Sequence, residues 1–185
     1  LDGIERDGPA LQGCAARRQP WDPADELLAR TWQVCGAGGQ ADATLARDLA
    51  AALARDPSSA ALHNALGLAG APGTAGPGQA LAAAEHFRQA LACSPAYIPA
   101  GLNLAEALAA VDQGPAAVAQ ARRTLADLDR LAALDPQCLD APHFPPGFDH
   151  FRVEWERAAW MNAGDPAAES GAKRDLLRWR LHGLL

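Results

Sequence analysis

Ala- and Leu-rich amphipathic runs recur along this chain, each closed by a short polar or Gly/Pro break. Apolar positions repeat at helical spacing over 25–35, 41–55, 60–69, 79–93, 100–111 and 116–134, which predicts six helices. Three runs stop at Asp56-Pro57, Ser94-Pro95 and Asp135-Pro136. A proline disfavours helical backbone in the residue before it, so each dipeptide enforces a break. The prolines stand 38 and 41 residues apart (95 − 57 and 136 − 95), about the length of two helices and a turn.

A second break falls near the middle of each unit. Gly36-Ala37-Gly38-Gly39, the Gly/Pro-rich stretch 71–78 and Gly114-Pro115 interrupt the runs, by permissive φ at glycine and a missing donor at proline. Residues 23–138 therefore read as three helical hairpins in series. Residues 1–22 show no sustained period and read as an irregular lead-in anchored by Trp21. A stiff connector with three prolines fills 139–147 and is expected to be partly extended. Beyond it, Phe148, Phe151 and Trp155 mark a helix over 148–163. Asp165-Pro166 then gives an N-cap with proline in the first turn, opening a last helix over 167–183. This C-terminal hairpin, 148–185, carries Trp155, Trp160 and Trp179, and reads as a capping or partner-contacting element.

Composition fixes the class. Aromatics make up 5% of the 185 residues, and a chain rich in Ala and Leu but poor in Ile, Thr, Tyr and Phe favours helix over sheet. The expectation is an all-α protein. A net charge of −6 argues against nucleic acid as a partner. No apolar run of about 18 residues is present to span a membrane. Asp2, Glu5, Arg6 and Asp7 are incompatible with a signal peptide over 1–13. A start at Leu1 rather than Met leads us to expect a processed chain or a fragment of something longer. Its compartment stays open, with the cytoplasm favoured over a secreted or periplasmic location.

Little in the chain resembles catalytic or ligand chemistry. Cys14, Cys35, Cys93 and Cys138 form no C-x-x-C pair and have no histidine at ligand spacing, so isolated thiols are expected and no metal is assigned. A disulfide in an oxidising compartment is the alternative. The stretch 71–78 lacks the Lys-Ser/Thr that a phosphate loop requires, and reads as a loop insertion. His143 and His150, seven apart across a Pro-Pro-Gly turn, match no metal-ligand spacing. Glu154 and Glu156 point to different faces of a helix, as solvated carboxylates do. Lys173, Arg174, Arg178 and Arg180 crowd the last helix, where cations complement the dipole; an acidic partner surface or a phosphate would also suit them. No catalytic residue and no cofactor are expected.

The middle units carry a family resemblance. Leu66-Gly67 is followed by Ala83, Phe87, Ala90 and Pro95, and Asn103-Leu104-Ala105 by Leu128, Leu131 and Pro136. This resembles the tetratricopeptide repeat, closely over 60–97, less over 98–138 and weakly over 23–59. The resemblance implies a right-handed superhelix of antiparallel hairpins, an α-solenoid, in which small residues let paired helices approach and a bulky second-helix residue fills the gap to the next hairpin. The chain departs from the pattern in its enlarged 71–78 loop, in a third unit about two turns longer than the roughly 34-residue norm, and in Leu128 where an aromatic is usual.

The same resemblance implies a concave surface lined by the first helix of each hairpin, with Arg30, Asn64, Leu68, Asn103 and Glu106 facing inward to bind a peptide or protein. The expected function is a non-catalytic scaffold, as in bacterial repeat proteins. The alternative is an accessory region of a larger enzyme: 148–185 weakly resembles stretches of bacterial repeat proteins fused to glycosyltransferases, and catalysis would then lie outside this chain. The apolar finish predicts that Leu181, Leu184 and Leu185 expose a patch suited to self-association or to contact within a parent complex.

Overall fold

A computed structural model describes residues 23–36, 41–70, 77–134 and 166–185. Among the described residues the protein is all-α, with seven helices and no strand. These are α1 (Pro23–Gly36), α2 (Ala43–Arg55), α3 (Ala60–Gly70), α4 (Pro77–Cys93), α5 (Ile98–Ala110), α6 (Gly114–Leu134) and α7 (Pro166–His182). The lead-in, the connector and the 148–163 helix lie outside the described residues. So do Cys14, Cys138, His143, His150, Glu154, Glu156, Trp155 and Trp160.

Five helices begin one or two residues earlier than the apolar periodicity predicts, each for the same reason. Pro23, Pro77, Pro99, Pro115 and Pro166 sit within a first turn, where the missing N–H has no intrahelical partner to lose and φ is already helical. These prolines open helices; Pro57 and Pro95, in the turns between helices, close them off. At α2 the shift is the other way. Asp42 is extended (φ −74°, ψ 164°) and its carboxylate accepts from the Leu45 N–H at 2.7 Å, so the helix starts after it.

The break after α5 is made by Asp112, which takes φ 57°. The Gln113 N–H returns to the Leu108 carbonyl at 3.0 Å and the Asp112 N–H to Ala109 at 3.2 Å. This satisfies two orphan carbonyls in a Schellman turn that glycine usually supplies. Gly114, expected to form the turn, instead opens α6.

The core is a series of three apolar clusters. Leu45, Leu49 and Ala52 of α2 pack on Leu62 and Ala65 of α3, with Leu27, Leu28 and Val34 of α1 against them. Cys35, Leu68, Ala83, Ala84, Phe87, Leu104, Leu108 and Ala117 join α1, α3, α4, α5 and α6. Ile98, Leu102 and Ala105 of α5 then meet Ala121 and Leu128 of α6 and Leu177 and Leu181 of α7. Among the described residues, extensive packing is confined to helices adjacent or next-but-one in order.

Two glycines set how closely helices approach. A Cβ on Gly67 would run into the Phe87 ring, 2.8 Å from its Cδ1. One on Gly101 would meet Thr124, 2.9 Å from its Cγ2. Small against large therefore recurs at α3–α4 and α5–α6, with an aromatic in one and a hydroxyl in the other. Thr124 is 2% exposed; its hydroxyl donates to the Gln120 carbonyl at 3.0 Å and accepts from the Gln120 amide at 3.1 Å.

The C-terminal patch is corrected in part. Leu181 is fully buried and Leu184 packs against the same cluster, because α7 folds back onto α5 and α6. Leu185 and Trp179 are the exposed apolar residues here, Trp179 at 66%. No helix among the described residues is long and apolar enough to cross a membrane.

Candidate binding surface

The five residues expected on an inner surface occupy the first helix of each hairpin: Arg30 on α1, Asn64 and Leu68 on α3, Asn103 and Glu106 on α5. Residues three or four apart share a helical face, so Asn64 sits with Leu68 and Asn103 with Glu106. The fold brings the two asparagines together. The Asn103 amide donates to the Asn64 amide oxygen at 2.8 Å across 39 residues of sequence.

Both are shut away from solvent, Asn64 at 0% and Asn103 at 2% exposure. Yet the Asn64 amide nitrogen and the Asn103 amide oxygen find no hydrogen-bond partner. Exchanging oxygen and nitrogen in both amides leaves the same pair unmet, one N–H₂ and one carbonyl. A buried polar group without a partner costs about 1–3 kcal/mol, so this pair is an expensive way to join two helices.

The other three residues have different surroundings. Leu68 is a core residue at 1% exposure, and its backbone carbonyl accepts from the Cys35 thiol at 3.8 Å. Burial raises the Cys35 thiol pKa, which keeps it protonated as a small apolar filler. Arg30 is exposed and lies 3.5 Å from the Asp42 carboxylate, itself exposed; such a pair contributes little.

Glu106 is largely covered and accepts from the Arg180 Nε at 2.8 Å. Burial pushes its carboxyl up to about 7, with the Arg180 guanidinium pulling the other way. Desolvation of the anion outweighs the attraction of one cation.

Arg180 was not legible as a partner of Glu106. The Arg-rich run of α7 suggested an acidic surface, and two of its members find acids within this chain. Arg178 donates through Nε to Asp129 at 2.9 Å and also reaches it through Nη2. No spacing in the sequence singles out His63 and His86 either. Their rings lie 6.2 Å apart, with the His63 Nε2 at 3.2 Å from the Pro57 carbonyl. Burial and the neighbouring His63 lower the pKa of His86. Among the described residues no three His, Cys, Asp or Glu side chains gather as a metal site would need.

No family model, curated protein or solved structure matches the chain.

Proposed function

We propose that this chain is a non-catalytic scaffold of the tetratricopeptide-repeat kind, binding a protein or peptide partner along the first helices of its hairpins. Three features support the reading: hairpin-sized units 38 and 41 residues apart, small-against-large helix contacts at Gly67 and Gly101, and packing that, among the described residues, is restricted to near neighbours in order, the habit of repeat arrays.

The observation that carries it is the amide pair. Asn64 and Asn103 offer one unmet donor and one unmet acceptor side by side. A peptide group presents the complementary carbonyl and N–H. A function is a reason to retain an arrangement that two leucines of similar volume would improve for stability. Because neither amide meets solvent, a partner reaches them as the side chains above give way.

Co-purification from the native host followed by mass spectrometry tests the reading, comparing the wild type with an Asn64→Leu/Asn103→Leu variant. Replacing both partners of a buried hydrogen bond by apolar groups is close to neutral or stabilising. The variant should therefore melt at or above the wild-type temperature and yet lose the partner. Equal recovery of the same proteins by both would overturn the proposal.

A further inference from the structure

We infer that α7 is a displaceable internal occupant of the Glu106 end of this surface, and that a partner bound there presents a guanidinium in place of Arg180. The inference rests on the scaffold reading for the meaning of Glu106, and on geometry for the rest. Glu106 lies one turn beyond Asn103 on α5 and accepts a hydrogen bond from α7. An Arg side chain approaching a half-enclosed carboxylate at 2.8 Å is what a basic residue of a bound partner would do, supplied here in cis.

Among the described residues, α7 is held by Leu177 and Leu181, by Leu176 and Leu184 packed against the same cluster, and by two arginines. Leu177 and Leu181 enter the cluster of Ile98, Leu102 and Leu128, while Arg180 reaches Glu106 and Arg178 reaches Asp129. Among its described side chains, Leu177 and Leu181 are the buried ones; α5 buries eight of its residues. Elements with few buried apolar contacts open locally at lower free energy than the core.

Closing α7 also takes up a proton. Glu106 titrates near 7 when covered and near its ordinary value of 4.5 when uncovered. The closed form thus binds more protons between those values, and closure strengthens as pH falls. Among the described residues, Arg180 is the charged group that acts on Glu106. The limiting slope is about tenfold per pH unit.

Hydrogen exchange on the full chain, read by mass spectrometry and corrected for intrinsic rates, addresses the first half. The amides of α7 should exchange through a local opening, faster than those of α5 and α6. Their protection should rise from pH 8 to pH 5.5 in the wild type and stay flat in Glu106→Gln. Exchange of α5, α6 and α7 as one unit would overturn the inference.

The second half uses a fluorescent peptide of residues 166–185 added to the full chain. An Arg180→Ala/Leu181→Ala chain, whose own α7 competes less, should bind it at least about tenfold more tightly than wild type, since apparent affinity scales with the open fraction. Arg180→Ala in the peptide should weaken binding to both chains alike, since it removes the guanidinium that meets Glu106. Equal binding to both chains would count against displacement. Neither measurement involves a natural partner, so the outcome is independent of the asparagine test.

Discussion

Helices α5 and α7 meet in one apolar cluster but are embedded in it very differently. The first is gripped on both sides, by α4 and by α6, and it buries Ile98, Leu102, Leu104, Ala105 and Leu108 together with Asn103. The second packs on α6, buries Leu177 and Leu181 and leaves Trp179 in solvent. The comparison separates two kinds of stability. Removing α5 means dismantling two clusters, whereas removing α7 takes from one cluster, among the described residues, two buried leucines and two partly buried ones, Leu176 and Leu184, together with two arginine contacts.

The largest expected effect follows from that difference. Leu128 is fully buried in the shared cluster, and Leu128→Ala should lower global stability by about 2–5 kcal/mol. Leu181 is equally buried in the same cluster, so by burial alone Leu181→Ala should cost as much. If α7 opens locally, that substitution instead appears as lost protection of 166–185, with a smaller change in the urea midpoint. Equal shifts of the midpoint in the two variants would erase the distinction between the helices.

A second pair of variants applies one chemical change to both regions and expects opposite signs. In α3, Gly67→Ala pushes a methyl into the Phe87 ring, an overpacking that costs about 1–3 kcal/mol against the roughly 1 kcal/mol that alanine gains as a helix former. In α7, a Cβ on Gly171 meets nothing within 4 Å, so Gly171→Ala should stabilise that helix by about 0.5–1 kcal/mol. Urea unfolding reads the first and exchange protection of 166–185 the second. A stabilised Gly67→Ala would show that Phe87 yields and that the close approach is not required.

Local signals made the helices legible, and their absence explains what was missed. Proline and glycine act on the backbone within a residue or two, so the breaks at Pro57 and Pro95 and the helices between them could be read directly. The starts lie earlier than apolar spacing indicates because a proline in a first turn adds no periodic apolar signal of its own. Asp112 carries no signature of the turn it makes, because an aspartate with positive φ is uncommon and Gly114, two residues on, gives the stronger signal. The repeat pattern marks Gly67 as a close-approach position but assigns Phe87 to the gap before the next hairpin, whereas its ring lies on Gly67 within the same hairpin; Thr124 over Gly101 has no usual signature.

Contacts across the fold were harder. Asn64 and Asn103 lie 39 residues apart, one repeat length, and that spacing could have paired them. Arg180 and Glu106 lie 74 apart with no period linking them. The exposure expected for Leu181 failed for the same reason: periodicity shows that a helix has an apolar face, not where the face lands.

The smallest effect sharpens the comparison most, because it separates the two charge pairs that fasten α7. Arg178 and Asp129 are 39% and 52% exposed, whereas Glu106 is 17% exposed. Water and salt weaken an attraction in proportion to their access to it, and exposed pairs contribute about 0–1 kcal/mol. Arg178→Ala should therefore reduce α7 protection by no more than that at low salt. In about 1 M salt the Debye length falls to roughly 3 Å, and the variant should match the wild type. Arg180, at 37%, is as exposed as Arg178, but its carboxylate partner is largely covered, so the effect of Arg180→Ala should fall less in salt. A salt-independent loss in Arg178→Ala, as large as that in Arg180→Ala, would mean that Asp129 rather than Glu106 is the anchor that holds α7 closed.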